Sequence, residues 1–194
     1  SPSATREIAR RLKENRVSML DAPISGGDTG AQQGTLAIMV GGDEDTFQRC
    51  LPIFQVLGSS VTHVGNHGMG QTVKLCNQIL VAITNMAVSE ALVYAKKSGV
   101  DLSAMIEAVK GGAAGSWQLS NLGPKMIERD FAPGFMIDLQ QKDLRLAMES
   151  AIEMGLPLSA LELVHKLYSD CQSHGEGKEG TQALIKSVER LTGV

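Results

Sequence analysis

Gly68-Met69-Gly70-Gln71-Thr72-Val73-Lys74-Leu75-Cys76-Asn77-Gln78 is the stretch at which the texture of the chain changes, and its reading decides the fold. Two glycines lead into a run that predicts one long helix over residues 70 to 97, stopped by Gly99. At ~1.5 Å per residue such a helix spans roughly 40 Å. It is apolar on most faces, so neighbours are expected on several sides. Everything downstream also reads as helix: residues 102–110 behind Asp101 as cap, a stretch around 117–129, then 139–153, 159–172 and 181–191.

Upstream the pattern alternates. Residues 4–13 place Ala4, Ile8, Ala9 and Leu12 at helical spacing with Pro2 near the start. A short strand over 17–20 leads into Asp21-Ala22-Pro23, followed by the turn-rich Ile24-Ser25-Gly26-Gly27-Asp28-Thr29-Gly30. Residues 35–40 form a continuous apolar strand closed by Gly41-Gly42. Asp43 suits an N-cap for a helix over 46–56, with Glu44 and Asp45 at its positive end. A last strand covers 60–64. Strand-helix-strand alternation of this kind belongs to a layered α/β sheet. The boundary falls near 65–69, giving an α/β part over 1–66 and an all-helical part over 67–194.

Bulk properties narrow the function classes. Of 194 residues, 43% are hydrophobic and 20% charged, which supplies a sizeable core in a globular chain. The net charge of -3 comes from interspersed signs, without the basic stripe of a nucleic-acid binder. Cys50, Cys76 and Cys171 are odd in number, far apart and without CxxC spacing, so free thiols in a reducing cytoplasm are expected. Residues 73–95 are interrupted by Lys74, Asn77, Gln78, Asn85 and Glu90, which argues against a membrane span. The four histidines (63, 67, 165, 174) lack ligand spacing, so no metal site is expected. Ser1-Pro2-Ser3 is neither an initiator start nor a signal peptide, and a fragment is expected.

Three constellations carry possible chemistry. Glycines at a helix start let backbone N–H groups approach an anion, and Asn77 and Gln78 share a face with Lys74 three and four residues on. That set could grip a small polar substrate; spacing alone leaves a solvated surface lysine equally open. Ser25-Gly26-Gly27 could form an anion nest for a carboxylate, although a glycine pair more commonly makes an ordinary turn. The segment from Phe135 to Lys142-Asp143 could meet phosphate, carboxylate or a nicotinamide amide, or could be a solvated face with an ion pair. Gly175-Glu176-Gly177-Lys178-Glu179-Gly180 formally matches GxGxxG but follows a helix rather than a strand, so it is no dinucleotide fingerprint.

Taken in order, three segments resemble the β-hydroxyacid dehydrogenase family. Asp21-Ala22-Pro23-Ile24-Ser25-Gly26-Gly27 with Gly34 to Gly42 is similar to its substrate-binding stretch, Gly68 to Gln78 to its catalytic helix, and Lys142-Asp143-Leu144 to its cofactor-proximal motif. Members include 3-hydroxyisobutyrate dehydrogenase, tartronate semialdehyde (2-hydroxy-3-oxopropionate) reductase and the glyoxylate/succinic semialdehyde reductases. The resemblance implies the remnant of a Rossmann domain followed by an all-α domain with one long central helix. It implies an NAD(P)-dependent oxidoreductase acting on a short hydroxy acid or its semialdehyde. Lys74 would be the acid/base; Ser25, Gly26, Gly27, Asn77 and Gln78 would hold substrate; Lys142, Asp143 and Phe135 would face NADP or NAD. The family's GxGxMG fingerprint is absent here, so this chain is expected to be inactive alone. A cytoplasmic homodimer or homotetramer, bound to neither nucleic acid nor membrane, is expected. Three readings compete with this: a catalytically silent dehydrogenase-like oligomerisation module, a glyoxylate/succinic semialdehyde reductase, and a stand-alone helical binding domain.

Overall fold

The computed structural model describes residues 1–194, and the chain divides into two compact units, 1–77 and 78–194. The first unit is built on a small sheet. Helix α1 (Pro2–Glu14) starts with Pro2 at a position where its missing N–H is not needed, and Ser1 caps it by accepting from the Ala4 N–H. Strands β1 (Leu20–Asp21) and β2 (Ile24–Ser25) both run antiparallel to β3 (Ala37–Gly42), which pairs in parallel with β4 (Ser60–Gly65). The register Asp21↔Gly41 and Ile24↔Ile38 folds the Asp21–Ser25 segment along the length of β3. Helix α3 (Glu44–Leu57) lies against β3 and β4, with Asp43 accepting from Thr46 N at 3.0 Å as the capping reading required. Leu36, Ile38, Val40 and Phe47 make the buried core, packed by Leu20, Ala22, Leu51, Phe54 and Val61.

Residues 24–30, read as turn, are not all turn. They hold β2 and then a short helix α2 (Gly27–Gln33) closed by Gly34 in the left-handed conformation. Glycines had suggested only a bend. Gly26 at φ 132° redirects the chain, after which Gly27 to Gln33 are free to coil. The strand expected over 17–20 is shifted to Leu20–Asp21, the residues that β3 actually reaches.

Helix α4 (Met69–Lys97) has the predicted extent. By length and composition it could cross a membrane, but half of its most apolar window is buried within the fold. The second unit contains α5 (Leu102–Lys110), α6 (Trp117–Asn121), α7 (Gly123–Glu128), α8 (Ile137–Glu153), α9 (Ser159–Ser173) and α10 (Leu184–Thr192). The stretch 117–129 is two helices because Gly123-Pro124 breaks it, with proline accepted only in the new first turn. Trp117, at the start of α6, is 64% exposed. Helix α9 packs against α8 and α10 around Leu144, Leu161, Val164, Tyr168 and Leu184, all buried. Inside this unit Asn85 of α4 donates to the Tyr168 hydroxyl at 3.0 Å and to the Thr181 carbonyl at 2.6 Å. The expected order, a small α/β part followed by an all-helical part with one long helix, is the order observed.

Candidate functional site

The first unit holds one cluster around the start of α4. An α-helix leaves its first four N–H groups without intrahelical acceptors. Gly68 has no side chain to cap them. The cap comes instead from Asp21, 4% exposed, whose Oδ1 accepts from Gly68 N at 2.8 Å and whose Oδ2 accepts from Gln71 N at 3.0 Å. His67 adds a contact from Nε2 to the Met19 carbonyl at 2.9 Å. Gly70 is required by proximity, since a Cβ there would lie 2.5 Å from the Met39 carbonyl oxygen and 2.6 Å from that of Asp21.

One turn further along, Lys74 Nζ donates to the Ile24 carbonyl at 2.8 Å. Ile24 immediately precedes Ser25-Gly26-Gly27, so the ammonium stands beside the turn proposed to hold a carboxylate. Gly26 (φ 132°) and Gly27 (φ 65°) occupy backbone regions that side chains resist, and both are exposed. Ser25 is half-buried at the end of β2. Asn77, half-buried, follows Lys74 by three residues on α4.

A second cluster lies in the second unit. Gln78 is 3% exposed, and its amide N–H donates to Asp143 Oδ2 at 2.7 Å. The other oxygen of Asp143 is 2.9 Å from Lys142 Nζ, so the ion pair anticipated from sequence exists, but around a buried carboxylate. The Lys142 side chain is 53% exposed. Phe135, 37% exposed, sits just before α8, where its carbonyl accepts from Thr181 N at 3.0 Å. The glycines of 175–180 form the loop after α9, with Glu176 engaged by Arg190 at 2.9 and 3.0 Å.

Sequence reading missed Asp21 as a participant. The available signal was an acidic residue ending a strand, with a glycine-rich helix start elsewhere that offers no cap of its own. Only the sheet register joins the two.

Residues 68–188 match the family described as NAD-binding of NADP-dependent 3-hydroxyisobutyrate dehydrogenase. The chain belongs to the 3-hydroxyisobutyrate dehydrogenase family. Residues 1–65 match the NAD binding domain of 6-phosphogluconate dehydrogenase, so both parts match domains for the nicotinamide cofactor class that the resemblance implied. Within the family, the chain is 46% identical to 2-hydroxy-3-oxopropionate reductase of Escherichia coli, covering 98% of this chain and 65% of that protein. It is 43% identical to a probable 3-hydroxyisobutyrate dehydrogenase-like protein of Arabidopsis thaliana, over 100% of this chain and 58% of the relative. A 3-hydroxyisobutyrate dehydrogenase of Mycobacterium tuberculosis, solved with L-serine, superposes with a TM-score of 0.90 at 30% identity, covering 97% of this chain and 67% of that one. The chain thus spans about three-fifths to two-thirds of the length of these family members.

Proposed function

We propose that this chain carries the catalytic part of an NAD(P)-dependent oxidoreductase. It interconverts a short 3-hydroxy (or 2-hydroxy-3-oxo) carboxylic acid and its semialdehyde. The observation that carries the reading is Lys74 Nζ held 2.8 Å from the Ile24 carbonyl, beside Ser25-Gly26-Gly27. An ammonium beside a turn of exposed glycines supports a substrate with a hydroxyl at one end and a carboxylate at the other.

In this reading the Ser25 hydroxyl and the Gly26 and Gly27 N–H groups hold the carboxylate. Lys74 takes the hydroxyl proton during oxidation and returns it to the forming alkoxide during reduction. The Ile24 carbonyl orients the lysine, and Asn77 orients the substrate oxygens. Gln78 acts through Asp143, to which its amide is already bonded. Nicotinamide, when bound, supplies or accepts the hydride. Lys142, a half-exposed cation braced by Asp143, and the part-exposed ring of Phe135 fit contact with a phosphate, a carboxamide and a flat ring. The 175–180 glycines do not fit a dinucleotide cradle, because they follow α9 rather than a strand.

A short substrate is supported by the E. coli relative, named for 2-hydroxy-3-oxopropionate, and by the L-serine found with the M. tuberculosis protein. Both ligands are small carboxylates with oxygen on the third carbon. A cytoplasmic homodimer or homotetramer completes the proposal, supported by the free thiols and by Leu80 and Tyr94 of α4, 69% and 77% exposed. The test is Lys74→Ala in the full-length enzyme. Turnover falls by about 10²- to 10⁴-fold while fluorescence titration of NADPH and NADH is unchanged. Near-normal turnover overturns the assignment.

A further inference from the structure

We propose that Asp21 is a positioning residue for Lys74, setting the register of the first turn of α4 through a two-point carboxylate cap. The inference rests on Lys74 being the acid/base.

Three observations carry it. First, the cap is bidentate. Oδ1 takes the Gly68 N–H and Oδ2 the Gln71 N–H, three residues apart. A carboxylate bridging donors one turn apart fixes both the rotation and the rise of the helix start, which a single bond would leave free. Second, the carboxylate has no slack. It is 4% exposed, and a Cβ added at its sheet partner Gly41 would lie 2.7 Å from Oδ1 and 2.7 Å from Gly70 N. Third, the same strand-turn segment grips the helix again further on. Ile24, three residues after Asp21, accepts from Lys74 Nζ at 2.8 Å. Asp21 and Ile24 therefore hold the start of α4 at Gly68, Gln71 and Lys74, successive three-residue steps, and the segment carries Ser25 at its end.

A helix is stiff over one turn, so a shift at Gly68 and Gln71 is passed to Lys74. The lysine's carbonyl anchor and the carboxylate-holding turn lie on the segment that makes the cap. Loosening the cap moves the ammonium against the very groups with which it must align. A misplacement of about 1 Å at a reacting group can cost about 100-fold in rate. Asparagine is the discriminating substitution. It nearly preserves shape, but it offers one acceptor and turns an NH₂ toward an N–H, so one cap bond is lost and two donors face each other.

The experiment compares Asp21→Asn, Lys74→Ala and the double variant in the full-length enzyme, using tartronate semialdehyde with NADPH and NADH. Asp21→Asn is expected to keep the far-ultraviolet circular dichroism spectrum and cofactor affinity of the parent. Its kcat should drop about 10- to 100-fold with KM changed by less than about threefold. The double variant should be no slower than Lys74→Ala alone, because the loss passes through the lysine. A folded Asp21→Asn with kcat within about twofold of the parent overturns the proposal, as does a further tenfold loss in the double variant. If Asp21→Asn does not fold, Gln71→Pro deletes one capped N–H in a first turn, where proline is tolerated. Its kcat should fall with KM held, and an unchanged kcat likewise overturns the proposal. Normal turnover in Lys74→Ala would instead remove the lysine assignment, whatever Asp21 does, so the two failures are told apart.

Discussion

Replacing Gly70 with alanine sets a rule of sequence against a fact of packing. In a helix, glycine to alanine ordinarily stabilises by up to about 1 kcal/mol. At this position the new methyl would sit 2.5 Å from the Met39 carbonyl oxygen, 2.6 Å from the Asp21 carbonyl oxygen and 2.9 Å from Asp21 Oδ2. Two of these atoms are backbone of β3 and β1, and the third belongs to the buried cap, so none can rotate aside. The start of α4 must withdraw by most of an ångström to restore ordinary contact. Overpacking of this kind costs about 1–3 kcal/mol, and the upper half applies where backbone must move. After the propensity gain, the expected net loss is about 1–2 kcal/mol. Urea unfolding followed by circular dichroism reads it as a lower midpoint at constant slope. Gly111→Ala is the control: Gly111 has φ -87° and nothing lies within 4 Å of its added Cβ. That variant should be neutral or slightly more stable. If Gly70→Ala is as stable as the parent, the close packing of α4 on the sheet is not as described.

Further outcomes follow from the second unit. Tyr168→Phe removes the hydroxyl that accepts from Asn85 at 3.0 Å and donates to Thr181 at 3.3 Å, and should lower stability by about 1–2 kcal/mol in urea; an unchanged midpoint would count against that network. Burial alone would raise the carboxyls of Glu176 and Asp170, but hydrogen bonds and charge from Arg190 outweigh it and hold both below the usual carboxylate range. Their folded pKa values lie below the unfolded ones, so this stability is present above the ordinary carboxylate pKa and is lost as pH falls through the depressed values. Arg190→Gln should therefore flatten the acid loss of stability below about pH 5, and an unaltered acid slope would contradict this. Burial pushes the Cys171 thiol up to about 12, whereas Cys76 is exposed. Iodoacetamide under native conditions should modify Cys76 and spare Cys171 by peptide mass spectrometry, and equal labelling would refute the burial.

Lys74, Ser25, Gly26 and Gly27 were legible as candidates because their chemistry is local: a lysine in a first helical turn, and small residues at a strand end. The long helix was legible for a similar reason, since about eight turns of one texture outweigh any single residue. Gln78 and Asp143 show the limit. The resemblance assigned Gln78 to substrate and Asp143 to the cofactor. Their side chains also bond to each other in a buried setting, a pairing across 65 residues that no periodicity encodes. The helix α2 was hidden by glycines that serve equally for turns and for helix ends, and only the conformations of Gly26 and Gly34 separate the two uses.

By itself, the sequence determined the order of an α/β part and an all-helical part, the extent of α4 and the family, because helical and strand periods and short motifs are written in neighbouring residues. Tertiary structure alone decided how the start of α4 is held. The helix begins on Gly68, which has no side chain, so its cap had to come from elsewhere. The antiparallel register of β1 on β3 is what brings the Asp21 carboxylate to the Gly68 and Gln71 N–H groups.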